Sequence, residues 1–71
     1  MSYYNFPGGL EVISLSRHLT SNGGQALQYI ARSCRLDGNN KHGDPKDDIR
    51  KAIDMLVDEY IRLGGDISDL F

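Results

Sequence analysis

The segment GGQALQYIARSCRL, residues 23–36, contains the side chains of this protein best suited to binding an anion. Read as a helix, it places four polar side chains together on one face: Gln25, Gln28, Arg32 and Arg35. Two guanidiniums and two amides can hold a phosphate or a carboxylate through paired hydrogen bonds. No acidic residue interrupts this face, although the net charge of the chain is −2. We call these four residues the arginine face.

Two further residues extend the candidate anion site. Tyr29 lies beside the arginine face, where its ring can stack on a nucleotide base, and Lys51 offers a second kind of cation. The alternative is a solvated surface, in which the arginines pair with Asp48 or Glu59 of a later helix and Tyr29 lies at the edge of the core. The sequence leaves both interpretations open.

The clearest secondary-structure signal in the chain predicts a long helix over about 45–63. Asp44 is a suitable N-cap, and Pro45 suits the first helical turn. Apolar residues recur along the segment at helical spacing, and Leu56 stands in the middle of their stripe. The stripe predicts that Leu56 is buried in the core. Two glycines after the segment end the helix.

Two earlier helices complete the predicted architecture. One spans about 23–36, and a shorter one spans about 10–19, although EVISLS also alternates like a strand. The predicted class is all-α: an antiparallel helical hairpin with the shorter N-terminal helix packed across it. We expect a single domain over 1–71, with an aromatic arm at 1–9, a three-helix core at 10–63 and a tail at 64–71. Cys34 lies on the apolar face of its helix and is predicted to be a buried hydrophobic residue.

Size and composition limit the classes of function. Because 71 residues give a thin core, we expect an oligomer, most simply a symmetric dimer. A single cysteine excludes an internal disulfide. The sequence contains no cluster of Cys and His residues of the kind that binds zinc, and we predict no metal site and no resident cofactor. The acidic net charge argues against nucleic acid as a partner. The lack of a long apolar run argues against a membrane, and we expect a cytoplasmic location.

Three ordered stretches carry a resemblance: EVI at 11–13, GQALQYIARSCR at 24–35 and DIRKAIDML at 48–56. They resemble the patterns E-V/C-I-D, G-N-A-I-K-Y-I-x-R-x-x-R-K and E-D-L-x-K-A-x-x-Y-L of a family of small phage proteins. That family was long catalogued as a domain of unknown function, and its members are often labelled nucleotide-kinase-like. Two of its lysines correspond here to Gln28 and Leu36, which weakens any phosphate site carried over from the family.

The resemblance implies contact with a nucleotide, magnesium only as the companion of that nucleotide, and the cytoplasm of a phage host. The chain has no G-x-x-x-x-G-K-[ST] phosphate-binding loop. No serine, cysteine or threonine has a general base at a spacing typical of nucleophilic catalysis, so we do not expect an enzyme. The first hypothesis is a small protein that binds, and thereby sequesters, a nucleotide or related phosphorylated metabolite. The alternatives are a nucleotide kinase or kinase-associated subunit, and a structural protein-interaction module without a ligand.

Overall fold

The computed structural model describes residues 5–38 and 43–71, and the regular structure within them is helical. The α-helices are α1 (Val12–Ser16), α2 (Ser21–Ser33) and α3 (Pro45–Arg62), and short 3-10 turns occupy Pro7–Gly9 and Ile67–Asp69. The all-α class is therefore confirmed. None of the helices in this part of the chain has the length and apolar composition needed to cross a bilayer. Residues 1–4 of the predicted arm and 39–42 of the following loop lie outside the described residues.

Local signals define α3, whose bounds agree with the prediction to within one residue. The Asp44 side chain accepts a hydrogen bond from the Lys46 N–H at 3.0 Å, and Pro45 occupies the first turn. At the other end, the Leu63 N–H donates to the Glu59 carbonyl oxygen at 3.0 Å. Gly64 then takes a φ of +96°, in the left-handed region that favours glycine.

α1 is shorter than predicted, and α2 both begins and ends earlier than predicted. Asn5 and Glu11 form an isolated antiparallel bridge, which holds Glu11 in an extended conformation and delays the start of α1 to Val12. The Thr20 side chain caps α2 by accepting from the Gly23 N–H at 3.1 Å. The helix ends at Ser33 because Cys34 leaves helical geometry, with φ −110° and ψ 3°. Cys34 is consequently exposed, and its predicted burial is wrong.

Polar side chains join α2 to α3 near both of their ends. Thr20, at the start of α2, donates to the Glu59 carboxylate at 2.9 Å, and Asn22 donates to it at 3.3 Å. Near the end of α2, Arg32 donates to Asp48 in the first turn of α3. These contacts fix the rotation of the two helices relative to each other.

The core between the helices consists of small residues. The buried apolar side chains of the described residues are Val12, Ala26, Ala31 and Ala52. No large side chain in the described parts of the chain is fully buried. Gly24 lets α1 approach closely, because a Cβ atom there would lie 3.2 Å from the Ser16 carbonyl oxygen. A core of this size contributes little hydrophobic stabilisation.

The predicted burial of Leu56 is wrong for the single chain, because 50% of this residue is exposed. The line of α3 that faces α2 runs instead through Asp48, Ala52 and Glu59. At 3.6 residues per turn, the apolar stripe of α3 is rotated from this line by about a quarter of a turn. The stripe therefore points to one side of the helix pair, because the polar contacts with α2 determine which face of α3 meets it.

Candidate anion-binding site

Arg32 forms a two-pronged ion pair across the α2–α3 contact. Its Nε donates to Asp48 Oδ2 at 3.1 Å and its Nη2 donates to Asp48 Oδ1 at 2.9 Å. The Arg32 side chain is 18% exposed and that of Asp48 is 7% exposed, so water screens the pair only partly. This is the pairing that the alternative interpretation of the sequence describes. It also presents the guanidinium in the paired geometry that a phosphate uses.

The Tyr29 ring contacts two cationic side chains, one from α2 and one from α3. The Arg32 guanidinium carbon lies 5.0 Å from the centroid of the Tyr29 ring, and the Lys51 ammonium nitrogen lies 6.0 Å from it. Both distances fall within the range of cation–π attraction. Tyr29, Arg32 and Lys51 are three of the six predicted site residues, and they meet at one place. We call them the Tyr29 cluster.

Carboxylates at the start of α3 balance the charge of the Tyr29 cluster. Lys51 lies 3.2 Å from Asp47, and Asp47 also accepts from Arg50 at 3.0 Å. The hydrogen bond from Arg50, and then the one from Lys51, lowers the pKa of Asp47 below its ordinary value. Arg50 extends the network to Asp54 at 3.1 Å, and the Asp47 hydrogen bond raises the pKa of Arg50. An anionic ligand would therefore compete with resident carboxylates.

Arg35 has different surroundings from Arg32. Its side chain is buried and donates to both oxygens of Asp37, at 2.6 Å each, and to the Asn5 carbonyl oxygen at 2.7 Å. Its guanidinium carbon lies 4.0 Å from the centroid of the Phe6 ring. The Asp37 hydrogen bond raises the pKa of Arg35 above its ordinary value. These contacts fasten the N-terminal segment to the end of α2.

The arginine face does not act as one surface in this fold. Because α2 ends at Ser33, Arg35 lies beyond the helix and does not extend the side that carries Arg32. Gln25 is exposed and donates to Ser21 at 3.1 Å, one turn earlier in α2, while Gln28 is half-buried. Phe6 as a partner of Arg35 had no signal in the sequence, since the two are distant in the chain.

Glu59 forms a second polar junction at the opposite end of the helix pair. Arg62 donates to it through Nε at 2.8 Å and through Nη2 at 2.7 Å, in addition to the bonds from Thr20 and Asn22. These hydrogen bonds, chiefly those from Arg62, lower the pKa of Glu59 from its ordinary 4.5 to about 2. The sequence indicated Glu59 only as a possible partner for an arginine of α2, whereas the partner in the structure is Arg62.

No group of three or more His, Cys, Asp or Glu side chains in residues 5–38 and 43–71 is placed to hold a metal ion. Comparisons of the chain with protein-family models, with curated proteins and with solved structures found no match. The resemblance to small phage proteins stays a prediction from the three sequence stretches. The Tyr29 cluster is therefore the feature of the structure from which a function is proposed below, together with that resemblance.

Proposed function

We propose that this protein binds the phosphate of a nucleotide, or of a related phosphorylated metabolite, at the Tyr29 cluster and holds it without chemical change. The observation that carries the proposal is the convergence of Arg32 and Lys51 on one aromatic ring, from two different helices. A guanidinium fork and an ammonium suit the oxygens of a phosphate, and a tyrosine ring can stack on a base.

Asp48 sets the affinity in this proposal. A phosphate that takes both prongs of the Arg32 fork must replace the Asp48 carboxylate, which now accepts both hydrogen bonds. The exchange substitutes one charge-assisted pair for another, so ligand binding gains only the difference between the two. Gln25 and Gln28 lie on the same helix and are proposed to bind the remainder of the ligand. Magnesium enters only as a companion of a nucleotide.

We also propose an arrangement of the three helices and the association of the chain with further copies. The Thr20–Glu59 contact at one end and the Arg32–Asp48 contact at the other support an antiparallel hairpin of α2 and α3. The close approach of Gly24 to Ser16 supports α1 packed across it. The thin core supports association with further copies of the chain. The proposed setting is the cytoplasm of a phage host, and a kinase-associated role is the alternative that rests on resemblance alone.

A thermal-shift screen tests the binding proposal with nucleoside monophosphates, nucleoside triphosphates and cyclic dinucleotides, each with and without magnesium. A ligand present at about 100 times its dissociation constant stabilises the folded state by about 2.7 kcal/mol, which gives a clear rise in Tm. At least one of these compounds is expected to produce such a rise. If none changes the Tm of the wild-type protein, the binding proposal is wrong.

A matched pair of lysine variants assigns any binding to the cluster. Lys51→Ala removes the ammonium beside Tyr29 and is expected to abolish most of the ligand-induced shift. Lys46→Ala removes the same charge from an exposed position in the first turn of α3 and is expected to retain the shift. Equal shifts in both variants would show that the ligand binds away from the Tyr29 cluster.

A further inference from the structure

Both long helices carry apolar residues at the spacing of helices that pack against other helices. On α3 these residues recur at intervals of four, three and four positions, and on α2 two of them are three positions apart. The six residues, which we call the apolar face, are Leu27, Ile30, Ile49, Ile53, Leu56 and Tyr60. Three of them are substantially exposed: Ile30 at 40%, Ile53 at 47% and Leu56 at 50%. A repeat of this kind indicates a seam for a further helix.

The apolar residues of the two helices share one side of the helix pair. On α3, Leu56 and Lys51 lie on opposite sides of the line through Asp48 and Ala52, as the 3.6-residue period requires. On α2, Ile30 lies about 160° around the helix from Arg32. Arg32 of α2 and Lys51 of α3 approach the same ring, so they mark one common side. The apolar residues of both helices must then share the other side. The pair is consequently polar on the ligand side and apolar on the reverse.

The C-terminal tail widens this face. Leu70 and Phe71 line an open groove of about 370 Å³ together with Leu56 and Tyr60 of α3. The Tyr60 hydroxyl donates to Asp69 at 3.1 Å, which holds the tail beside the helix. Leu70 is 43% exposed and Phe71 is 82% exposed. Apolar side chains therefore continue from the helices onto the tail.

We propose that the apolar face binds the apolar face of a second copy of the chain about a two-fold axis, so that four helices enclose one core. The proposal rests on the self-association proposed above and does not depend on ligand binding. A domain whose buried apolar residues are all small is expected to need a further apolar cover when it is folded. A second copy is present wherever the chain is, and a two-fold contact covers the same face on both copies.

The size of the face agrees with this occupant. An 18-residue helix is about 27 Å long, and two helices spaced by 8–10 Å are about 20 Å wide. The flat area is on the order of 500 Å² per copy, or about 1,000 Å² for two copies, which reaches the lower limit of specific interfaces. The Tyr29 cluster of each copy would lie on the outside of the four helices, accessible to a ligand.

Sedimentation equilibrium at micromolar concentrations tests the proposal. The wild-type protein is expected at twice the chain mass of 7.9 kDa, and Leu56→Glu is expected to halve that mass. Leu36→Glu is the matched control, because Leu36 lies beyond the end of α2 and is fully exposed, and it is expected to remain a dimer. A wild-type monomer would overturn both the interface and the proposed association. A Leu56→Glu dimer would overturn the interface alone.

Two further measurements apply if Leu56→Glu does not fold. Ile30→Lys probes the α2 part of the face and is expected to weaken the dimer as well. The Tm of the wild-type protein is expected to rise with its concentration, because folding and association are coupled. A Tm independent of concentration would overturn the proposal. Failure of the nucleotide screen in a wild-type dimer would contradict ligand binding and leave the interface in place.

Discussion

The Arg32–Asp48 pair is expected to be the strongest single polar link between α2 and α3. Asp48→Ala removes the acceptor of two charge-assisted hydrogen bonds from Arg32, whose side chain is only 18% exposed in the wild-type protein. Hydrogen bonds to charged groups contribute about 1.5–3 kcal/mol, and breaking a fully buried pair costs about 3–5 kcal/mol. For this partly buried pair we expect a loss of about 2–3 kcal/mol in the free energy of unfolding.

A loss of this size is large for so small a domain. A change of about 1 kcal/mol shifts the Tm of a 60–100-residue domain by about 4–8 °C, so Asp48→Ala should lower it by roughly 10–20 °C. Thermal denaturation followed by circular dichroism measures this shift. Protein concentration must be held constant, because the proposed association would also affect the Tm.

A double-mutant cycle separates the pair from its surroundings. Arg32→Ala, Asp48→Ala and the double variant are expected to show a coupling of about 1–2 kcal/mol, because each single variant leaves a partly buried charge without its main partner. The Arg50–Asp54 pair is the control: its side chains are 62% and 59% exposed, and its two single effects should nearly add. Additive effects at Arg32 and Asp48, within about 0.5 kcal/mol, would show that this pair does not link α2 to α3 energetically.

Two further predictions concern the helix contact. The hydrogen bonds that lower the pKa of Glu59 stabilise the folded state at pH values above 4.5, the ordinary pKa of this group. This contribution should be lost as the pH falls from 4.5 towards 2. In Glu59→Gln, the Tm measured as a function of pH should lack that part of the acid dependence. Ala52 is only 3% exposed and faces α2, so Ala52→Leu would overfill the contact between the helices. The free energy of unfolding, measured by denaturant, should fall by about 1–3 kcal/mol. Unchanged stability would show that the helices do not meet at Ala52.

Local sequence signals predicted α3 better than any other element. Asp44 and Pro45 act within the first turn, and Gly64 takes the left-handed conformation just after the last one. The start of α1 depends instead on a contact outside the helix, the Asn5–Glu11 bridge, whereas Thr20 caps the start of α2 locally. The residues of α1 alone therefore do not predict where that helix begins.

The rotation of α3 could not be predicted from its apolar stripe. The stripe favours Leu56 as the buried residue, but polar partners on α2 select the line through Asp48 and Ala52. The grouping of residues in the candidate site could not be predicted either. The sequence indicated Arg32 and Arg35 as neighbours on one face, whereas the end of α2 at Ser33 places Arg35 in a separate set of contacts.

Calorimetric titration of the wild-type protein and of Asp48→Asn with a nucleotide that shifts the Tm is the sharpest test of a phosphate site at the Tyr29 cluster. Asparagine keeps the shape of the side chain but removes the charge that would compete with a phosphate for Arg32. Asp48→Asn is expected to bind the nucleotide roughly tenfold more tightly, which corresponds to about 1.4 kcal/mol. Asp58→Asn removes the same charge about 15 Å further along α3 and should bind like the wild type. Equal or weaker binding by Asp48→Asn would contradict a phosphate site at the Tyr29 cluster.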